Sequence, residues 1–149
     1  MTVIRAATLG TCRGVQRALA IVERTLVEHP GEPVYTLGPL IHNPRVVEEY
    51  RRRGVVPVGG LSEVDRGIVI IRAHGIGPAE RRECDRDGVA CVDATCPDVL
   101  RVQALVRDHA ARGEGVVIVG DPSHVEVKGI RGYAPGSVVV SSEEGAEAV

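Results

Sequence analysis

A mostly parallel α/β fold, with sheets flanked by helices, is what this sequence predicts. Three observations lead there. Short aliphatic runs alternate with longer amphipathic stretches, the pattern of strand–helix–strand units. The runs are nearly unbroken by polar residues, as expected of strands buried on both faces. Phe and Trp are absent and only three Tyr occur in 149 residues, so the core has to be assembled from Val, Ile, Leu and Ala.

Taken in order, Val3–Ala7 reads as a first strand. Val15, Ala18, Leu19, Val22 and Leu26 fall on one face of a helix that His29-Pro30 closes. Val34–Leu37 is a second strand, followed by a short charged helix over Arg45–Arg53 that ends at Gly54. The consecutive arginines Arg51, Arg52 and Arg53 read as a solvated helix end. Gly67–Arg72 is a third strand, Ala79–Arg86 a charged surface helix ending at Gly88, and Val89–Asp93 a fourth strand. After Pro97, residues Val99, Val102, Leu105 and Val106 keep helical spacing up to Gly113. Gly115–Val119 and Ser137–Val140 are further strands, and the last runs into Ser141-Ser142-Glu143-Glu144, a helix-start pattern. Crossovers between parallel strands are expected to be right-handed.

Composition narrows the partners. Hydrophobic residues make up 44% and charged residues 26%, ordinary for a folded soluble chain. A net charge of −2 gives no basic footprint, and the aromatic platforms on which nucleic-acid bases stack are missing, so nucleic acid is not an expected partner. No apolar run approaches the roughly 20 residues that span a bilayer, and the N-terminus has no signal-peptide pattern. The expected location is the cytoplasm. In that setting four cysteines, Cys12, Cys84, Cys91 and Cys96, read as metal-binding or catalytic rather than as disulfides. None forms a CxxC pair, so any metal site has to be assembled from distant segments.

In parallel α/β sheets, ligands bind at the carboxyl ends of the strands. Four segments place a reactive side chain just past such an end: Gly10–Val15, Ile71–Gly75, Asp93–Pro97 and Gly120–Glu126. A fifth, Leu40–Pro44, follows Val34–Leu37 after a short turn. Cys12 and Cys96 each start a helix, where the helix dipole favours thiolate character suited to iron–sulfur or zinc ligation. The bland alternative is a small buried hydrophobe. That reading is preferred for Cys91, inside a strand, while Cys84, on a charged helix, reads as incidental. His42, His74 and His124 all occupy post-strand loops and are candidates to hold phosphate oxygens, with metal ligation or a loop-structuring role as alternatives. His29 and His109 read as surface residues. Glu126, two residues after His124, is a candidate proton donor, or else a solvated surface carboxylate.

With these residues in hand, the chain resembles the 4-hydroxy-3-methylbut-2-enyl diphosphate reductases, iron–sulfur enzymes that end the non-mevalonate isoprenoid pathway. The stretches that carry the resemblance are GTCRGVQRAL from Gly10, GPLIHNPRVVEEYRRRGV from Gly38, IIRAHGIGPAERREC from Ile70, VDATCPDVLRVQALV from Val92 and RGEGVVIVGDPSHVEVKGIRGY from Arg112. The resemblance implies that Cys12 and Cys96 are two of three cysteines holding a 4Fe-4S cluster. It further implies that His42, His74 and His124 bind the substrate diphosphate and that Glu126 is the proton source. The implied reaction is a reductive dehydroxylation to isopentenyl and dimethylallyl diphosphate, with electrons from an external reductant such as ferredoxin or flavodoxin.

Members of that family are much longer and form three similar α/β units around the cluster. The expectation here is a first unit over residues 1–96, carrying Cys12, His42, His74 and Cys96. An incomplete second unit over residues 97–149 carries His124 and Glu126. The third cluster cysteine, a threonine that partners Glu126, and a Ser/Asn group that completes diphosphate binding have no counterpart in the chain. A separate chain supplying the missing half is therefore a possible partner. Thr11 and Arg13 beside Cys12, and Val125, also depart from the family's usual residues. The alternative function is a cluster-free phosphate-binding or interaction protein derived from the same family.

Overall fold

The computed structural model describes residues 3–7, 10–84 and 88–147. Within them the chain forms a four-stranded parallel sheet and a separate two-stranded parallel sheet. The first contains β1 (Val34–Leu37), β2 (Val55–Val58), β3 (Gly67–Ile71) and β4 (Val89–Asp93) in the order β2-β1-β3-β4. The second pairs β5 (Val117–Val119) with β6 (Val138–Val140). Helices α1 (Arg13–Glu28), α2 (Pro44–Arg52), α3 (Pro78–Glu83), α4 (Pro97–Ala111), α5 (Val125–Arg131) and α6 (Glu143–Glu147) intervene. The parallel α/β class expected from the sequence is the one observed.

Strand β3 sits at the centre because its side chains are wanted on both faces. Ile70 packs with Ala18, Ile21 and Val22 of α1 and with Leu40, Ile41 and Tyr50. Val69 and Ile71, one residue to either side, enter a second cluster with Leu37, Val58, Leu61, Val64 and Val89. The period-two alternation of a strand thus feeds two separate cores, which is why the run Gly67–Ile71 is apolar throughout.

Two expectations are corrected. Val3–Ala7 forms no strand: the segment is exposed and pairs with neither sheet, and an extended run without a ladder partner has nothing to satisfy its backbone. Conversely, Val55–Val58, left out of the expected strands, does form one, although it contains Pro57. It lies at the sheet edge and pairs only with β1, the place where a residue lacking an N–H is tolerated. The expected end of the charged helix at Arg86 lies outside the described residues, and α3 is assigned to Glu83.

Candidate active site

The loops leaving β1, β3 and β5 converge. His42 and His74 stand with ring centroids 4.3 Å apart, while His124 lies 5.5 Å from His42 and 5.7 Å from His74. Three imidazoles from three separate segments, two from one sheet and one from the other, therefore form one cluster. Beside it a cavity of about 310 Å³ is lined by Pro39, Ile41, His42, Asn43 and Pro44.

Each histidine is fixed locally by its own sequence. Asn43, immediately after His42, caps α2 by accepting from the amides of Arg45 and Val46. His74 is followed by Gly75 at φ +70°, a backbone conformation that other residues rarely adopt. A Cβ there would also lie 2.8 Å from Thr95 Cγ2 and 2.9 Å from Gln103 Nε2. Gln103 in turn is buried on α4 and donates to the carbonyl of Ile76 at 3.3 Å, tying the His74 loop to the helix that leads towards β5. In the third loop, Asp121 accepts from both the amide and the hydroxyl of Ser123 at 2.7 Å, which closes the turn before His124. His124 then caps α5, its Nδ1 accepting from the amide of Glu126 at 3.3 Å. In the neutral tautomer that this bond selects, the ring proton sits on Nε2.

Electrostatics distinguish the members. Burial, and then the neighbouring His42, His124 and Arg72, pull the pKa of His74 down to about 4. Its Nδ1 is buried without a hydrogen-bond partner. His74 is therefore a neutral imidazole at physiological pH. Glu126, in the first turn of α5, is half-buried and separated from His124 by one residue.

The cysteines divide as the sequence suggests, with one change. Cys12 and Cys96 are the N-cap residues of α1 and α4, and neither sulfur is used in capping. The two helix starts approach closely: a Cβ on Gly14 would lie 2.5 Å from the sulfur of Cys96, so only glycine fits at that point of α1. Arg17 of α1 donates to the carbonyls of Thr95 and Asp93 at 3.0 and 3.3 Å, fastening the same two segments. The amide of Cys96 donates to the carbonyl of Ala73 at 2.9 Å, next to His74. Cys91 packs on the second core cluster, as expected, but so does Cys84, which is a packing residue rather than an incidental one. Among the described residues no group of three or more His, Cys, Asp or Glu is disposed to hold a metal ion.

Other expectations resolve simply. His109 pairs with Glu114 and Arg112 on the surface, and His29 ends α1. Of the three consecutive arginines, Arg53 is engaged rather than merely solvated: it pairs with Glu23 and lies over the ring of Tyr50. Helix α5 is not among the expected elements, and His124 and Glu126, read as loop residues, stand at its start instead.

Fold and site together define an α/β protein whose strand-end loops bring three histidines together, with two cysteines at neighbouring helix starts. The family described as "LytB protein" matches residues 3–149. The chain belongs to that family. It is 43% identical over 149 residues to 4-hydroxy-3-methylbut-2-enyl diphosphate reductase of Citrifermentans bemidjiense, covering 99% of this chain and 52% of the relative. The same identity and coverage hold for the reductase of Geobacter sp. strain M21. Among solved structures, the reductase described as the terminal enzyme of the non-mevalonate pathway superposes with a TM-score of 0.79 at 40% identity, over 91% of this chain and 49% of that one. The reductase from Plasmodium falciparum gives 0.88 at 30% identity, over 94% and 44%. The chain spans about half the length of the curated relatives it matches. No helix among the described residues is long and apolar enough to cross a membrane.

Proposed function

We propose that this chain supplies the diphosphate-binding and proton-donating part of a cytoplasmic 4-hydroxy-3-methylbut-2-enyl diphosphate reductase, together with two of the sulfurs that hold its 4Fe-4S cluster. The observation that carries this reading is the convergence of His42, His74 and His124 within 5.7 Å of one another. Imidazole N–H groups donate to phosphate oxygens, and three donors from independent loops match the several oxygens of a diphosphate.

The donor set fits two cluster ligands and no more. Cys12 and Cys96 offer sulfurs that make no capping bond, at adjacent helix starts. The third ligand, and the rest of the diphosphate site, belong to the remaining length seen in the relatives, whether on the same polypeptide or on a separate chain. When bound, the cluster supplies the two electrons, drawn from an external reductant such as ferredoxin or flavodoxin. The chain's own residues do the rest. The histidines fix the diphosphate end of the substrate, which sets where its hydroxyl lies. Glu126 is the proton donor to that hydroxyl as the C–O bond breaks and water leaves. A second proton completes the reduced product, so that two electrons and two protons replace the hydroxyl by hydrogen. In this reading residues 1–96 form a first α/β unit and residues 97–149 part of a second, with the site between their strand ends.

The test has two arms. Substrate is titrated into the 149-residue chain and into variants with His42, His74 or His124 changed to Gln, and each change is expected to weaken binding about tenfold. Glu126→Gln is then assayed in an assembly that contains the remaining half, where turnover is expected to fall by at least about a hundredfold with substrate binding retained. Unweakened binding in all three histidine variants would end the pocket assignment. Unchanged turnover in Glu126→Gln would remove that residue from the mechanism. The second reading, a cluster-free phosphate-binding protein, is favoured by the lack, among the described residues, of a third thiol beside Cys12 and Cys96. A cluster that stays on the complete assembly after anaerobic reconstitution would exclude it.

A further inference from the structure

The diphosphate reading leaves a charge imbalance at the pocket. A diphosphate is a multiply charged anion, yet His74, one of the three histidines, is neutral near pH 7. A neutral imidazole donates a hydrogen bond but offers no net charge to the ligand.

Arg72 lies two residues before His74 and is the permanent cation whose field acts on it. Its side chain is half-buried. Nη1 donates to the carbonyl of Leu37 at 2.7 Å, at the end of β1, while Nε is buried with no partner. The guanidinium packs against Gly38, where a Cβ would lie 2.5 Å from Nη1 and where φ is +71°. Arg72 therefore bridges the start of the loop that carries His42 and the loop that carries His74. No carboxylate among the described residues pairs with it. Glu80, whose charge reaches it, spends its Oε2 on the amide of Gly77 at 3.1 Å, capping α3. A half-buried guanidinium with no carboxylate paired to it leaves an uncompensated positive charge beside the two histidine loops, and a bound anion offsets such a charge through the field.

We infer that Arg72 is a positioning residue of the histidine pocket, holding the His42 and His74 loops together and supplying the fixed positive charge that a bound diphosphate needs. The inference rests on the reading of the pocket as a diphosphate site. It acts through the field and through loop placement, since its buried Nε is not open to direct contact with a ligand.

The experiment uses the full chain and inorganic diphosphate as the probe, with binding followed by calorimetry and the histidine rings followed by NMR. Arg72→Gln is expected to weaken diphosphate binding about tenfold or more, whereas Arg72→Lys, which keeps the charge, stays within about threefold of the unmutated chain. The titration midpoint of His74 is expected to rise in Arg72→Gln and to stay in place in Arg72→Lys, a shift that a purely structural role would not produce. In the unmutated chain, affinity is expected to hold within about threefold between about pH 7 and about pH 8.5, because arginine keeps its charge there. That arm stands even if Arg72→Gln does not fold. Full-strength binding by Arg72→Gln with an unmoved His74 would overturn the inference while leaving the pocket intact. Equal losses in both variants would also overturn it, in favour of geometry alone. Affinity that collapses across that pH range would overturn the inference by assigning the charge to groups that titrate there. If the unmutated chain binds no diphosphate, the pocket reading fails and the inference with it.

Discussion

The two sheets are built from the same strand–loop–helix unit, yet they are buried very differently. In the four-stranded sheet, Ile68, Val69, Ile70 and Ile71 of β3 are all at most 2% exposed, because apolar clusters cover both faces. In the two-stranded sheet only Ile118 of β5 and Val140 of β6 are buried, while Val117 and Val119 are 51% and 83% exposed, and Val138 beside Val117 is 43% exposed. The aliphatic run is alike in the two places; what differs is how much of the molecule lies against it. His42 and His74 therefore ride on a rigid platform, whereas His124 rides on a small sheet that is only partly covered. The two meet where Gln103 of α4 donates to the carbonyl of Ile76 and where Gly129 of α5 and Gly132 at its end lie against Ile76, Gly77 and Pro78, close to the histidines.

The widest contrast should come from one substitution in each sheet. Ile70→Ala removes a side chain with no exposure from between α1 and β3, and urea unfolding is expected to show a loss of about 3–5 kcal/mol. Val119→Ala, at the matching kind of site in β5, is expected to change stability by less than about 0.5 kcal/mol. Comparable losses would mean that the exposed face of β5 is covered in solution.

Between these extremes lies the joint. Gly75→Ala puts a Cβ against Thr95 and Gln103 at a positive φ, and is expected to cost about 2 kcal/mol. Ring-to-ring NOEs from His74 to His124 should weaken in the same variant, while those from His74 to His42 persist. Loss of both sets together would show that the three histidines are held as one unit rather than across a joint.

A smaller effect follows from His74. Its folded pKa of about 4 lies below the ordinary value of 6.5, so the unfolded chain binds a proton that the folded ring refuses. Stability is fully present above about pH 6.5 and falls as the pH drops towards about 4. Because the ring is only half-buried, solvent screening reduces the expected loss to about 1–2 kcal/mol. His74→Gln should flatten that part of the stability–pH curve, and an unchanged slope would assign it to other groups.

Much of this was legible in the sequence because the signals are local. Gly-, Pro- and Asn-flanked histidines after aliphatic runs mark the carboxyl ends of strands, and parallel topology then brings them to one side. Cys96 before Pro97 marks a helix start for the same reason. What stayed hidden depends on tertiary partners. Pro57 could be placed in a strand only once its edge position was known. Helix α5 is seven residues long with Gly129 inside it and a histidine as its cap, so nothing local announces it. Val3–Ala7 carries a strand's composition without a neighbour to pair with. Arg72 reads as the end of a strand, and only its packing against Gly38 and Leu37 shows it bridging two histidine loops.

The central claim is that three loops from two sheets make one anion pocket, and histidine-selective NMR during a titration of inorganic diphosphate into the unmutated chain tests it most directly. The expected result is that the ring signals of His42, His74 and His124 all move, and that their shifts fit a single dissociation constant. Movement of His42 and His74 with no response from His124, or different dissociation constants for the two sheets, would contradict it.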